Sequence, residues 1–278
     1  MPVKNLKKAY LRVSAETAEQ FLAACTVPRV DLIYMDAGLF PAAQWKEFTA
    51  RAHKGSGGFG KLSALRLPQI WRRRCEAFFS ENSGFLQDAG FDAFLARNPE
   101  EILWLHEIGV KEEQIISDHT VYRFNEITEN TMTDLFGKST RTWSLELNFR
   151  EISVLAEAFR KNGSCPNELV VYGRAPLMVT AQCVRKTSIG CDRRPSLMWL
   201  KDRTGALMPV RNSCVFCCNT IYNAVPTVLY DLKEETERIG ADYIRYEFTT
   251  ETPEQMKAVF EGILPDRYTR GHFNRGVL

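Results

Sequence analysis

Short runs of β-branched and aromatic residues alternate with amphipathic helical stretches along the chain, and this alternation limits the fold more than any other feature. The eight predicted strands are Tyr10–Ser14, Leu32–Met35, Leu62–Leu67, Ala93–Leu95, Gln114–Ser117, Thr142–Leu147, Leu169–Tyr172 and Asp242–Phe248. Strands that alternate with helices form parallel sheets, because a helical crossover returns the chain to the same edge. Eight such units predict closure into a (β/α)8 barrel of the TIM type, with a doubly wound open sheet as the alternative.

The predicted helices carry recognisable ends. They cover 15–25, 42–53, 69–81, 99–108, 123–135, 150–161, 228–239 and 253–263. Asn98 precedes Pro99, and Thr252 precedes Pro253, so a capping side chain stands before a proline at the first helical position in both cases. Gly240 follows a helical stretch as a C-terminal glycine.

Composition is typical of a globular protein. With 278 residues, 45% hydrophobic and 25% charged, the chain fits one barrel domain over 1–278. No run of about 18 apolar residues suggests a membrane span, and the basic start lacks the apolar segment of a signal peptide. We therefore expect a cytoplasmic protein with no membrane partner. Thiols stay reduced in that compartment, which favours metal ligation over disulfides.

Five of the eight cysteines fall in one segment. Cys183, Cys191, Cys214 and Cys217 are spaced C-x7-C-x22-C-x2-C, and Cys218 is adjacent. Four thiolates converging on one point are what a structural zinc ion or an iron–sulfur cluster requires. The alternatives are buried free thiols and a disulfide framework. Cys217 and Cys218 compete for one position, and the C-x2-C chelate favours Cys217.

The cysteine segment follows the seventh predicted strand, as a long loop from Gly173 to about Thr220. Loops of that position carry the function of TIM barrels. Between residues 173 and 211, eight Lys or Arg against two Asp leave a net charge of +6 in a chain whose total is +2. Such a patch could tune a cluster, attract an anionic small molecule or RNA, or be simply a solvated charged surface.

Polar residues at the predicted strand ends are the catalytic candidates. Arg174 and Tyr172 end strand seven, His119 follows strand five beside Asp118, and Glu146 ends strand six. Asp36 ends strand two. We expect Arg174 to tune a cluster or to orient an anionic substrate, since a guanidinium can bind a carboxylate or phosphate with two hydrogen bonds. The chain has neither a G-x-S-x-G nor an H-E-x-x-H motif, which argues against common hydrolytic mechanisms.

Several of these segments together resemble the U32 peptidase family, the collagenase-like proteins. They are ELVVYGRAPLM (168–178), Cys183, LKDRTG (200–205), Cys214-x-x-Cys217 running into NTIYN (219–223), and YTRGHFNRG (268–276). The resemblance covers about residues 140–278. It implies a short form or the C-terminal part of a longer family member, and so an upstream domain or partner protein.

The resemblance also implies a chemistry. Better-understood relatives are oxygen-independent hydroxylases of RNA or ubiquinone precursors that hold a 4Fe–4S cluster on four cysteines, and Cys183 and the Cys214 group match cluster ligands. This chain has Ala175 and Pro176 where the family often has a cysteine, and Cys191 supplies the fourth sulfur.

Three functions follow as hypotheses. The first is an iron–sulfur enzyme of the hydroxylase type that acts on RNA or a small aromatic substrate. The second is a collagenase-like peptidase, as the family name says. The third is a zinc-stabilised binding module without catalysis.

Overall fold

The protein folds as a closed barrel of eight parallel strands with helices between them, which confirms the predicted TIM-type fold. The computed structural model describes residues 9–55, 59–161 and 165–277, and only the backbone of Lys161. The barrel strands are β1 (Tyr10–Ala15), β2 (Val30–Asp36), β3 (Leu62–Arg66), β4 (Ala93–Ala96), β5 (Ile115–Ser117), β6 (Thr140–Thr142), β7 (Asn167–Gly173) and β13 (Tyr243–Glu247). β13 pairs with both β7 and β1, and β6 pairs with β7, so the sheet has no open edge.

The outer helices are α1 (Ala18–Thr26), α2 (Trp45–Lys54), α3 (Arg73–Glu81), α4 (Ser83–Ala89), α5 (Pro99–Glu107), α6 (Glu126–Phe136), α7 (Phe149–Lys161), α9 (Lys233–Ile239) and α10 (Pro253–Phe260). The predicted caps are confirmed. The side chain of Asn98 accepts a hydrogen bond from the backbone N–H of Glu101, and Thr252 accepts one from Gln255. These bonds satisfy N–H groups that a helix start leaves without partners.

Strand alternation divides the apolar residues between two clusters. The larger one lies between the barrel wall and the helices and includes Phe21, Trp45 and Trp143. The smaller one lines the barrel interior with Leu32, Tyr34, Ala64, Ala93, Leu95 and Ile116, all from β2 to β5. The remainder of the interior, on the β1, β7 and β13 side, is charged.

The predicted cysteine loop is a folded insertion between β7 and β13. Four of its strands form an antiparallel sheet in the order β8-β11-β10-β9, with β8 at Pro176–Thr180, β9 at Ser196–Lys201, β10 at Leu207–Ser213 and β11 at Cys218–Tyr222. A short helix, α8 (Val184–Ser188), follows β8, and β12 (Thr227–Val228) then runs back beside β7. Because it follows the carboxyl end of β7, the insertion lies at the C-terminal face of the barrel.

Three predicted boundaries are wrong by four residues or more. One is the helix predicted from Val228, which starts at Lys233 because Val228 belongs to the strand β12. The sixth strand ends at Thr142 rather than Leu147, because the chain turns at Ser144, whose carbonyl accepts the N–H of Leu147. The alternating apolar residues that suggested a strand are loop side chains, and Trp143 and Leu147 are buried in the core. The third helix starts at Arg73 rather than Gln69. Over the described residues, no helix is both long enough and apolar enough to cross a membrane.

Candidate functional site

The charged half of the barrel interior is built around Glu168 on β7. Its carboxylate accepts hydrogen bonds from Arg245 (2.7 Å), Tyr34 (2.7 Å) and Arg12 (3.0 Å), all of them buried. The hydroxyl of Thr142 adds a fourth bond at 3.1 Å. A buried carboxylate with this many donors is fixed in place, so this layer serves as a rigid floor.

Arg245 connects this floor to the barrel mouth. Besides Glu168, it donates to Asp118 at 2.5 Å and lies 3.0 Å from Glu247. Burial alone would raise the pKa of Asp118, but the attraction of Arg245, reinforced by His119 and Arg97, holds that pKa well below its usual range. The pKa of Glu247 is lowered for the same reasons, with burial outweighed first by Arg245. Both carboxylates are therefore charged at neutral pH.

His119 lies buried beside these two carboxylates. Burial lowers its pKa, and its Nε2 has no hydrogen-bond partner. Asp118, His119 and Glu247 each place a ligand atom within 4.8 Å of the others, the spacing of a metal site. Arg245 already forms ion pairs with both carboxylates, however, and its buried positive charge would repel a metal ion bound beside it. We therefore interpret the group as part of the ion-pair network.

Above this network, a small cleft separates the barrel mouth from the inserted sheet. Its walls include Glu16, Asp36, Gln69 and Arg97 from the barrel, and Arg211, Ser213, Cys218 and Tyr222 from the insertion. Its volume is about 40 Å³. Glu16 ties the two sides together, because it accepts hydrogen bonds from Arg211 (2.7 Å) and Tyr222 (2.5 Å).

Asp36 is the cleft carboxylate best placed for proton transfer. It ends β2, and one oxygen accepts the backbone N–H of Gly38 at 2.9 Å. The other lies 3.9 Å from Arg66 Nε, a buried nitrogen without a hydrogen-bond partner. Burial raises the pKa of Asp36, and the attraction of Arg66 and Arg97 only partly offsets this. A raised pKa brings a carboxyl closer to the range in which it can both take up and release a proton.

The insertion brings the segments of the predicted cysteine ligands together. The Sγ of Cys183 lies 3.5 Å from Nδ2 of Asn212 on β10. The Sγ of Cys214, just past the end of β10, lies 3.1 Å from the carbonyl oxygen of Arg194, three residues beyond Cys191. Burial raises the pKa of Cys214, and the like charges of the Cys183 and Cys191 thiolates raise it further. The first two cysteines thus lie beside the β10–β11 hairpin.

The C-x2-C pair forms the tip of this hairpin. The backbone N–H of Cys217 bonds the carbonyl of Cys214 at 3.3 Å, and Cys217 has a left-handed φ of 56°. The two neighbouring cysteines then point apart. Cys217 is exposed and also acts on the pKa of Cys214, whereas Cys218 lines the cleft and donates to the carbonyl of Phe216. The choice of Cys217 over Cys218 as the fourth ligand stays a prediction.

The tip is anchored on the barrel rim. Phe216 packs against Phe78 and Phe79 of α3, at ring distances of 5.2 and 6.1 Å, and Arg74 donates to the carbonyl of Val215 at 2.7 Å. A Cβ added at Gly38 would lie 2.1 Å from Ser213 Oγ and 3.0 Å from the ring of Phe216, so the β2 loop and the hairpin are in close contact there.

The four predicted catalytic residues lie in different parts of the structure. His119 lies in the charged network of the mouth. Arg174 instead bonds the carbonyls of Asn223 and Ala224 and the hydroxyl of Thr250, so it fastens the end of the insertion to the loop after β13. Tyr172 donates to Glu251 (3.0 Å) and packs in an aromatic cluster on the outside of the barrel. Glu146 lies half-buried in the loop after β6. None of the four is among the residues lining the cleft.

The sequence interpretation missed most of the charged mouth. Arg12, Arg66, Arg97, Glu168, Arg245 and Glu247 are buried there, as is Glu16. A signal was present: charged residues stand within or at the ends of otherwise apolar strands, as in YLRVSA (10–15) and YIRYE (243–247). Inside a closed barrel such positions face one another, and so predict a polar interior.

Comparison with known proteins finds only distant structural likenesses. No protein-family model and no curated sequence match the chain. Among solved structures, the YdjI aldolase from Escherichia coli K12 is similar at 10% identity and a TM-score of 0.46, covering 92% of this chain and 79% of its own. Thiamine phosphate pyrophosphorylase from Pyrococcus furiosus is similar at 10% identity and a TM-score of 0.47, covering 92% and 97%. At this distance the likenesses carry no argument about activity.

Proposed function

We propose that the insertion holds a 4Fe–4S cluster on Cys183, Cys191, Cys214 and Cys217, and that the protein is a redox enzyme of the oxygen-independent hydroxylase type whose substrate binds in the cleft. The observation that carries the proposal is the meeting of three chain segments at the hairpin tip. Cys183 lies beside Asn212, and the segment after Cys191 lies beside Cys214. Four thiols from distant sequence positions are rarely collected in one exposed place without a metal centre to hold them.

We favour a cluster over a single zinc ion because the resemblance to iron–sulfur hydroxylases implies one. Tetrahedral zinc with sulfurs at about 2.3 Å would place its ligands about 3.8 Å from one another. Over the described part of the chain, no three cysteine sulfurs lie within 4.8 Å of one another, so the sulfurs would have to move together to bind zinc. A four-iron cluster binds each thiolate at a different iron.

The cleft supports an anionic small molecule as the substrate. Arg97 and Arg211 line it, and among the described residues each binds protein partners through its Nε and one Nη, which leaves the other Nη for a ligand. Asp36 would take up or release a proton at the bound molecule, and Glu16 keeps the insertion in place above it. The cluster would supply one-electron transfers at the edge of this cleft. The cleft of about 40 Å³ has room for only a few waters, so the insertion would have to move to admit a small molecule, and further to admit RNA.

The test is anaerobic purification followed by reconstitution with ferrous iron and sulfide. We expect about four irons and about four sulfides per chain, with a broad absorption shoulder at about 400 nm that bleaches on reduction. A colourless protein that retains one zinc per chain would support the zinc-stabilised module instead. A protein that binds neither metal would contradict both.

A further inference from the structure

A second concave surface lies away from the barrel mouth, between α3 and α5. It is a groove of about 250 Å³, much roomier than the cleft. Two tryptophans, one leucine and three glutamates line it: Trp71, Trp104, Leu103, Glu76, Glu100 and Glu107. Neither the barrel network nor the cysteine insertion uses any of these side chains.

The local sequence explains why these residues meet. Glu100, Leu103, Trp104 and Glu107 are spaced i, i+3, i+4 and i+7, which places them on one face of α5. Trp71 precedes α3 and lies 5.1 Å from Trp104, centroid to centroid. Phe79 supports both indoles from below, at 5.6 and 4.9 Å. The tryptophans are therefore held by packing and only partly covered.

The charge of the groove is negative although its surroundings are basic. All three glutamates are exposed. Of the three adjacent arginines, Arg72, Arg73 and Arg74, the last bonds the carbonyl of Val215 in the insertion. Arg72 lies near Cys218, where it partly offsets the rise that burial causes in the pKa of that thiol. These two arginines, Arg72 and Arg74, therefore interact with the insertion.

We propose that this groove binds an organic cation with a quaternary ammonium head, of the choline type. Such a head is charged and apolar at once, so it needs aromatic faces for its methyl groups and carboxylates for its charge. A divalent metal ion suits the groove less well, because it needs carboxylate oxygens that converge. Over the described residues, these three glutamates are not among the groups whose ligand atoms lie within 4.8 Å of one another.

The affinity should be modest. Cation–π contacts at exposed sites contribute little individually, and the groove is open, so we expect a dissociation constant on the order of 1 mM for choline. The indole N–H groups give a direct readout of binding. The chain has five tryptophans and hence five indole N–H signals in a ¹H–¹⁵N spectrum. Choline should shift two of them, assigned to Trp71 and Trp104 by the Trp71→Phe and Trp104→Phe variants.

The control ligand is 3,3-dimethyl-1-butanol, which has the shape of choline without its charge. It should shift the same signals at least about tenfold more weakly. The double variant Glu100→Gln and Glu107→Gln should weaken choline binding about fivefold or more, whereas Glu19→Gln on the remote helix α1 should leave it unchanged. Both substitutions are on exposed helix positions, so folding is preserved.

Equal binding of choline and its neutral analogue would show a merely apolar groove and overturn the proposal. So would the absence of any saturable shift below about 100 mM choline, or a shift that the glutamate substitutions do not weaken.

Discussion

Replacement of Arg245 by methionine tests whether the barrel mouth is organised as the structure indicates. Arg245 is fully buried and contacts three carboxylates, those of Asp118, Glu168 and Glu247. Methionine fills similar space without charge. The substitution therefore removes the guanidinium that the three carboxylates share, while the carboxylates themselves stay buried.

The expected loss in the free energy of unfolding depends on which ion-pair partners each carboxylate retains. Glu168 retains Arg12 at 3.0 Å, and Asp118 retains Arg97 at 3.2 Å. For Glu247 the structure shows Arg245 as its ion-pair partner. Removing one side of a buried pair costs about 3–5 kcal/mol, so we expect a loss of about 4 kcal/mol in the free energy of unfolding and a fall of about 10 °C in Tm.

The pH dependence should change sign. In the native protein the pKa values of Asp118 and Glu247 are depressed by Arg245, so their contribution is present above about pH 4 and is lost as the pH falls through the folded-state values. Without Arg245, burial raises the pKa of Glu247. The variant should then lose stability as the pH rises above about 4, because a buried carboxylate must ionise.

Urea denaturation followed by circular dichroism at pH 5, 6, 7 and 8 measures both effects. The matched control is Arg51→Met, whose exposed side chain forms an ion pair with Glu47 one helical turn away, and which should change stability by less than about 0.5 kcal/mol. If Arg245→Met costs less than about 1 kcal/mol, or if its stability has the same pH slope as the native protein, the buried network is not as described.

Three further substitutions test how the insertion is attached and what the cleft does. Gly38→Ala should push the hairpin away, because the new methyl group would lie 2.1 Å from Ser213 Oγ. Limited proteolysis should then cleave the insertion faster while the barrel stays intact. Arg174→Ala should free the end of the insertion in the same assay, at a cost of about 1–3 kcal/mol for the lost charged hydrogen bonds, whereas an unchanged cleavage rate would return Arg174 to the role of a substrate ligand. Asp36→Asn should leave stability within about 1 kcal/mol of the native value and remove a carboxyl whose pKa is raised by burial, read as the loss of its protonated-carboxyl band from infrared spectra recorded as a function of pH.

The architecture was predictable because it rests on periodicity. All eight barrel strands and the position of the insertion follow from the alternation of strand and helix, and Asn98 and Thr252 marked two helix starts. The failure at β6 has a physical cause. The loop residues Trp143 and Leu147 alternate like a strand because they pack into the core from the rim, although the hydrogen-bonded ladder has ended.

The site was only partly predictable, because contacts between distant residues decide it. Spacing identified the cysteine segment, and the hairpin geometry separates Cys217 from Cys218 in a way that adjacency in sequence cannot. Position at a strand end identified His119 and Asp36, but it also nominated Tyr172, which faces outward because the pairing register between β7 and β13 shifts before Tyr246 and Tyr172. A single register shift cannot be read from local sequence.

The iron content of single cysteine variants tests whether Cys183, Cys191, Cys214 and Cys217 bind the cluster. Cys183→Ser, Cys191→Ser, Cys214→Ser, Cys217→Ser and Cys218→Ser would each be reconstituted anaerobically and assayed for iron, sulfide and the electron paramagnetic resonance signal of the reduced protein. We predict that each of the first four substitutions lowers bound iron to less than about half of the native value, and that Cys218→Ser, whose thiol faces the cleft, retains it in full. Full iron in all of the first four variants, or loss of iron in Cys218→Ser alone, would contradict the account.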